Sequence, residues 1–538
     1  MALSWRTTGV LRRNAAAIVL TVILISAAGL SAYWVFEVPI LQAPDEQAHL
    51  DYALNIYSAH RLITAREPFH EWNVGSDGSV NLEPGATNHV FTSYLVQVSG
   101  FLAIHGNADA KVSRDYGTGA YYRRVDENAP AEASGNMKGK PRNSFGFLAL
   151  YPYGYYSLVA AWMGLLSAFS HRLTVLFFGA RLFSVGLLLV TLMLVYGTSR
   201  ELRFRPRRAL LHTALVGFFP LTSFVSSAVQ ADNLSLMLVM LSLYLSLRVR
   251  RTFGDWRATL LLGLALGMLC VTKYHYYLCV FIAIGGMLIS GQLRTRRRGI
   301  TWPRLLGLTL GPTIALALVQ VWVIWGAGVH GLPAIPSQKP YDPFLASTHS
   351  AVSFANFVIS TIGEAFANFY LNGSTFASFW GHFGWMDTPL TIGSPGINDM
   401  VRYLIALLNV VTFGLVLVRL ERVATRLVSI ARHRGWRKAL AIASSNPVLN
   451  AYFIFTVMMF ALYVLSQMNL AGQGRYWLPF IFPIFLTGTQ YAPRALSHHI
   501  TRSVFSNLIT AGLILYCILG SYYSIQSLIV RYYWPVMH

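Results

Sequence analysis

Six runs of this chain, 14–36, 174–198, 209–228, 232–249, 303–328 and 505–525, are mostly apolar. Each holds about 18–25 residues, enough to cross the ~30 Å hydrocarbon core of a bilayer as a helix. Further candidates at 257–272, 275–290, 400–419, 449–467 and 476–491 bring the expectation to about eleven transmembrane helices. In hydrocarbon every peptide group must be satisfied within the chain, which leaves only helices and closed barrels. Runs of this length exceed the ~9–11 residues of a barrel strand. The expected fold class is therefore an all-α polytopic membrane protein. Charged residues make up only 12% of the chain, about half the ~25% of a soluble domain. The first run, Ala15 to Phe36 behind Arg12 and Arg13, is longer than the ~7–15-residue core of a signal peptide and reads as a retained anchor with a cytoplasmic N-terminus. Cys270, Cys279 and Cys517 all lie in apolar runs and read as small core residues, not as a disulfide framework.

A net charge of +21 suggests nucleic acid until its placement is considered. The basic clusters Arg200–Arg208, Arg248–Arg257, Arg294–Arg304 and Arg419–Lys438 lie between apolar runs. That is the positive-inside pattern, with added attraction for anionic lipid, and no nucleic-acid partner is expected. Segment 146–168 decides the topology. If it crosses, every later loop changes side; if it only dips into the interface, all four basic clusters become cytoplasmic. Pro152 and Gly154 favour a broken, interfacial segment. On that reading every Asp and Glu except Glu201, Asp255 and Glu421 faces outward. The chain is then one membrane-embedded domain, 1–538, with a first outer loop at 37–173 carrying interfacial helices and a second at 329–399.

The residues with chemical character gather on that outer side. Directly after the first helix comes Pro44-Asp45-Glu46, followed by His49 and Tyr52. Proline and acids opening a helix are ordinary N-terminal grammar, so a capped amphipathic helix on the membrane is one reading. The other is an ionised carboxylate acting as a general base, with His49 four residues on and on the same face. Lys273 and Arg475 stand at outer ends of apolar runs, as snorkelling anchors or as cations paired with an anionic group. Gln473 flanks Arg475 in place of another cation. Arg181 lies deeper and needs a carboxylate or phosphate, Asp232 being one option. Asp232 itself either caps its helix or serves as a second site carboxylate. Tyr151, Tyr153, Tyr155 and Tyr156, with Phe376, Trp380, Phe383 and Trp385, form two aromatic clusters. They read as an interfacial belt. Between Gly381 and Gly384, His382 and then Asp387 bring polar groups to an apolar run.

The pair Asp45-Glu46 just past the first helix resembles the hallmark of the GT-C superfamily, polytopic glycosyltransferases that take sugars from polyprenyl-phosphate donors. The longer pattern is similar to a bacterial membrane family of unknown function, DUF2142. The likeness runs through Pro44-Asp45-Glu46 with His49, Tyr151-Pro152 with Tyr155-Tyr156, and Ala180-Arg181-Leu182 with Ser184. It continues through Gln230 to Asn233, Ser378-Phe379-Trp380-Gly381 with Phe383-Gly384-Trp385, and Gln473-Gly474-Arg475-Tyr476 with Pro479. The resemblance implies a glycosyltransferase in the bacterial inner membrane with its site facing the periplasm. Asp45 would be the base, Glu46 its fallback, and Lys273 and Arg475 the cations that receive the lipid phosphate. His49, Asp232, Gln473, Arg181, Tyr155, His382, Trp385 and Asp387 would line the substrate site, with a glycan or lipid as acceptor. Some GT-C members hold a divalent metal through such acids, and Asp45, Glu46 and His49 would be its ligands here. Two alternatives stay open: a ligase or polymerase using diphosphate-linked glycan, and a transporter or flippase. The latter usually shows internal repeats and mid-membrane ionisable groups.

Overall fold

The computed structural model describes residues 2–60, 110–128, 152–251, 255–273, 302–325, 425–436 and 499–533, together with short stretches near 73–81, 104–107, 276–285, 379–389 and 475–486. In chain order these form α1 (Ala2–Glu37), α2 (Glu46–Ala59), a hairpin of β1 (Asn73–Val74) and β2 (Val80–Asn81), α3 (Gly119–Glu127), α4 (Gly154–Ser167) and α5 (Leu173–Glu201). There follow α6 (Pro206–Gly217), α7 (Pro220–Val225), α8 (Ala231–Arg251), α9 (Trp256–Cys270), α10 (Trp302–Trp325), a hairpin of β3 (His382–Phe383) and β4 (Thr388–Pro389), and α11 (His499–Tyr532).

Among the described residues four helical segments are long and apolar enough to cross a membrane: Ala15–Glu37, Leu173–Glu201, Ala231–Val249 and Asn507–Tyr532. Their surroundings differ. The apolar windows of α5 and α8 are 67% and 78% buried, whereas that of α1 is only 17% buried. Ile18, Val22 and Ile25 of α1 and Leu508 and Ile518 of α11 stand exposed, as side chains facing lipid do. Helix α5 packs on α1, α4, α6 and α8, and α8 in turn on α9. The expected spans at 400–419 and 449–467 lie outside the described residues.

Two expectations are corrected by local geometry. The run 209–228 does not form one helix. It divides into α6 and α7 at Pro220, with Phe219 extended at φ −67°, ψ 123°. Proline offers no N–H to the preceding turn and pushes its predecessor out of the helical region. The aromatic residues Tyr155, Tyr156, Phe379, Trp380 and Phe383 are not an exposed belt but buried core. Phe383 stacks on Trp34 at 6.2 Å, and Trp380 meets Phe219 and Tyr516 edge to face, arrangements that suit the ring quadrupoles.

Helix α4 has 14 residues, so it is ~21 Å long and falls short of the hydrocarbon thickness. Its start is fixed by Gly154, whose N–H donates to the Val271 carbonyl at 2.7 Å. A Cβ there would lie 2.7 Å from the same oxygen, so only glycine lets α4 dock on the end of α9. That contact draws α4, which also packs on α2, beside the turn that holds Lys273.

Helices α9 and α10 approach through Gly263 and Gly267. A Cβ on Gly263 would sit 2.1 Å from the Leu308 carbonyl oxygen, an approach that small residues permit between membrane helices. Gly263→Leu is expected to cost about 1–3 kcal/mol by overpacking. Gly307→Ala, with nothing within 4 Å of the added carbon, should be neutral or slightly stabilising. Thermal unfolding in detergent separates the two.

Candidate active site

The link between α1 and α2 carries the first charges. It turns sharply: Leu41 and Asp45 both adopt left-handed backbone, at φ 65° and 58°, a conformation that costs energy for residues other than glycine. The link is stapled to α5 by Arg181. The Arg181 Nε donates to Glu46 Oε1 at 2.8 Å and Nη2 to Oε2 at 2.6 Å. Its remaining N–H groups reach the carbonyls of Val35, Val38 and Pro39 at 2.7, 2.6 and 3.0 Å. All five guanidinium donors are thereby used. Glu46 Oε1 also accepts from the Val229 N–H at 3.1 Å. Both side chains are completely buried.

This corrects two expectations. Arg181 pairs with Glu46, not Asp232. The Glu46 carboxylate, expected as a fallback base, is buried and saturated with hydrogen bonds inside the protein; neighbouring residues 45 and 46 have different surroundings.

Asp45 stands at the N-cap position of α2, yet its side chain makes no capping bond. Instead its Oδ2 accepts from Arg475 Nη2, while Arg475 Nη1 donates to the Pro44 carbonyl at 3.1 Å. Arg475 Nε lies 3.9 Å from Asp232 Oδ2, and Lys273 Nζ donates to Asp232 Oδ1 at 2.5 Å. Four residues at positions 45, 232, 273 and 475 thus form one cluster of two carboxylates and two cations. Asp232 pairs with cations, and Lys273 and Arg475 point inward in place of snorkelling. The side chains of Asp232, Lys273 and Arg475 are at most 6% exposed, whereas that of Asp45 is 34% exposed. Asp45 is the accessible member. Burial alone would raise its carboxyl, but the Arg475 charge, helped by His49 and Lys273, outweighs burial and holds it below the ordinary value.

Helix α2 is a packed element. Ala48, His49, Leu50, Asp51 and Tyr52 are all buried. His49 Nδ1 and the Tyr156 hydroxyl lie 2.7 Å apart with the rings stacked. Burial, joined by Arg475 and Lys273 and opposed by Asp45, pushes the His49 imidazole down to about 4. A depressed value means that stability is fully present above the unfolded-state value near 6.5 and is lost as pH falls toward about 4. The loss amounts to ~3 kcal/mol. His49→Gln, which does not titrate, should remove that slope between pH 6.5 and 4 in detergent unfolding curves.

Tyr155 lies in the core with its hydroxyl 3.3 Å from Ser184 Oγ. His382 contributes its backbone to β3. Gln473, Trp385 and Asp387 lie outside the described residues. The Gln230 amide, which donates to the Pro44 carbonyl, and Tyr156 were not singled out as site residues. Both stand in the family pattern itself, at Tyr155-Tyr156 and Gln230 to Asn233, which is the signal that could have found them. Among the described residues no three or more His, Cys, Asp or Glu are grouped so as to hold a metal ion. Asp45, Glu46 and His49 do not fit as a ligand shell: each carboxylate binds its own arginine, and Glu46 is saturated.

Long apolar helices and a buried ionic cluster define a membrane-embedded protein with a polar site built from distant segments. Residues 29–484 match the family described as "Predicted membrane protein (DUF2142)", and the chain belongs to that family. No functionally curated protein matches it. Among solved structures it is similar to ArnT from Cupriavidus metallidurans bound to undecaprenyl phosphate, at TM-score 0.43 and 10% identity, over 95% of this chain and 76% of that one. It is also similar to the Archaeoglobus fulgidus oligosaccharyltransferase in complex with zinc and sulfate, at TM-score 0.40 and 13% identity. That match covers 93% of this chain but only 53% of the oligosaccharyltransferase.

Proposed function

We propose that this chain is a glycosyltransferase that moves one sugar from a polyprenyl-phosphate donor to a hydroxyl of a cell-surface glycan or lipid. The observation that carries the reading is the cluster of Asp45, Asp232, Lys273 and Arg475, in which an accessible carboxylate lies against buried cations. Asp45 takes the proton of the acceptor hydroxyl. The acceptor oxygen bonds to the anomeric carbon as the bond from that carbon to the phosphate oxygen breaks, and its electron pair leaves with the phosphate. A single displacement inverts the anomeric centre. Arg475 and Lys273 take up the charge that develops on the departing phosphate, where fixed cations are most effective.

The donor class rests on the motif resemblance around Asp45-Glu46. An outward-facing site is supported by the helix ends. Asp232 and Lys273 lie at the ends of α8 and α9, and Arg181 about two turns inside α5, in each helix on the side opposite to Arg248–Arg251, Arg257 and Arg200, and arginine-rich ends favour the cytoplasm. The full bundle in this reading has about eleven spans and sits in the bacterial inner membrane, with outer loops at 37–173 and 329–399.

The test is transfer by the purified protein in proteoliposomes, with an envelope lipid and glycan extract as acceptor and product detected by mass spectrometry. Transfer from a monophosphate-linked sugar, releasing polyprenyl phosphate, is expected. Transfer only from a diphosphate-linked oligosaccharide would make the protein a ligase or polymerase. Movement of lipid-linked sugar across the vesicle with no glycosidic bond changed would make it a transporter. Either result overturns the reading.

A further inference from the structure

The contact that defines the site also restrains it. Arg475 faces protein groups with all three nitrogens: Nη1 toward the Pro44 carbonyl, Nη2 toward Asp45, and Nε 3.9 Å from Asp232. A carboxylate held by a guanidinium has one oxygen engaged and its charge stabilised, which makes it a poor proton acceptor. The residue placed best to be the base is thus held back by the residue placed best to receive phosphate.

The three contacts of Arg475 differ in how readily they exchange. The Pro44 carbonyl is a fixed backbone group that also accepts from the Gln230 amide. Asp232 is 1% exposed and is already paired with Lys273. Asp45 is 34% exposed, makes no capping bond to its own helix, and rests on left-handed backbone. Its carboxylate is the partner an incoming anion can replace.

We propose that the donor's phosphate and the Asp45 carboxylate compete for Arg475, so that Asp45 is released as base only once donor is bound. This rests on the transferase reading and adds an order to it: donor first, then acceptor. The phosphate goes from one negative charge toward two as the sugar leaves. The pull of Arg475 toward phosphate is therefore greatest when Asp45 must be free, a preference for the transition state over the ground state. A base tied down until donor arrives also gives an early acceptor no partner for its proton.

The test follows the Asp45 carboxylate itself. Full-length protein in detergent is treated with a water-soluble carbodiimide and a small amine, and labelling is mapped by peptide mass spectrometry. The probe is undecaprenyl phosphate without sugar, its binding followed in parallel by native mass spectrometry. Saturating probe is expected to raise Asp45 labelling severalfold while the exposed Glu127 stays unchanged. Arg475→Gln should label Asp45 at the higher level with or without probe, and the wild-type comparison stands by itself if that variant misfolds. Probe that binds but leaves Asp45 labelling unchanged or lowered overturns the competition and leaves the transferase reading intact. No binding of the probe at all overturns both.

Discussion

Asp45→Asn is expected to lower the transfer rate by about 10²–10⁴-fold, the usual contribution of a positioned general base, while the protein remains folded. Asparagine keeps the size of the side chain and still offers Arg475 an acceptor oxygen, but it cannot take a proton. The lost ion pair is one-third exposed on the Asp45 side, where solvent screening limits its worth to about 1 kcal/mol. Arg475 keeps the Pro44 carbonyl and the neighbouring Asp232. Rate and stability should therefore part company, which distinguishes a base from a structural acid. Initial rates and thermal unfolding measured on one preparation check this. So does mass spectrometry of surface glycans from cells lacking the protein and complemented with the variant. Full restoration of the missing sugar would move the base elsewhere.

Arg181→Met is expected to show the opposite pattern, a loss of about 3–5 kcal/mol of stability. The substitution leaves the buried Glu46 carboxylate without its guanidinium partner, and takes donors from the carbonyls of Val35, Val38 and Pro39 at once. Removing both charges in Arg181→Met with Glu46→Leu should recover only part of the loss. An ion pair can be exchanged for apolar packing at little net cost, but the Val35 and Val38 carbonyls lose their donor and still cost about 1 kcal/mol or more each, while the Pro39 carbonyl keeps the Gln42 N–H. Unfolding of both single variants and the double variant in detergent gives the coupling directly. Full recovery in the double variant would mean that those carbonyls find other donors.

The membrane class, the basic helix ends and Asp45, Lys273 and Arg475 as candidates were all legible along the chain. Hydrophobic length is a local property, and the few charges beside apolar runs stand out. The break at Pro220 was not read from the run 209–228, because hydrophobic length does not register a proline inside it. The partners of the charges were not legible. Arg181 and Glu46 lie 135 positions apart, and Arg475 and Asp45 430 apart, and no periodicity links such distances. Nor does sequence say that Asp45 and Glu46, adjacent and alike in chemistry, lead to different arginines. Sequence alone determined that this chain lives in lipid and where its charges stand, because insertion into hydrocarbon is decided segment by segment. Only the tertiary structure decided which carboxylate is sealed and which stays accessible, because a buried charge is stabilised by the partners that packing brings to it.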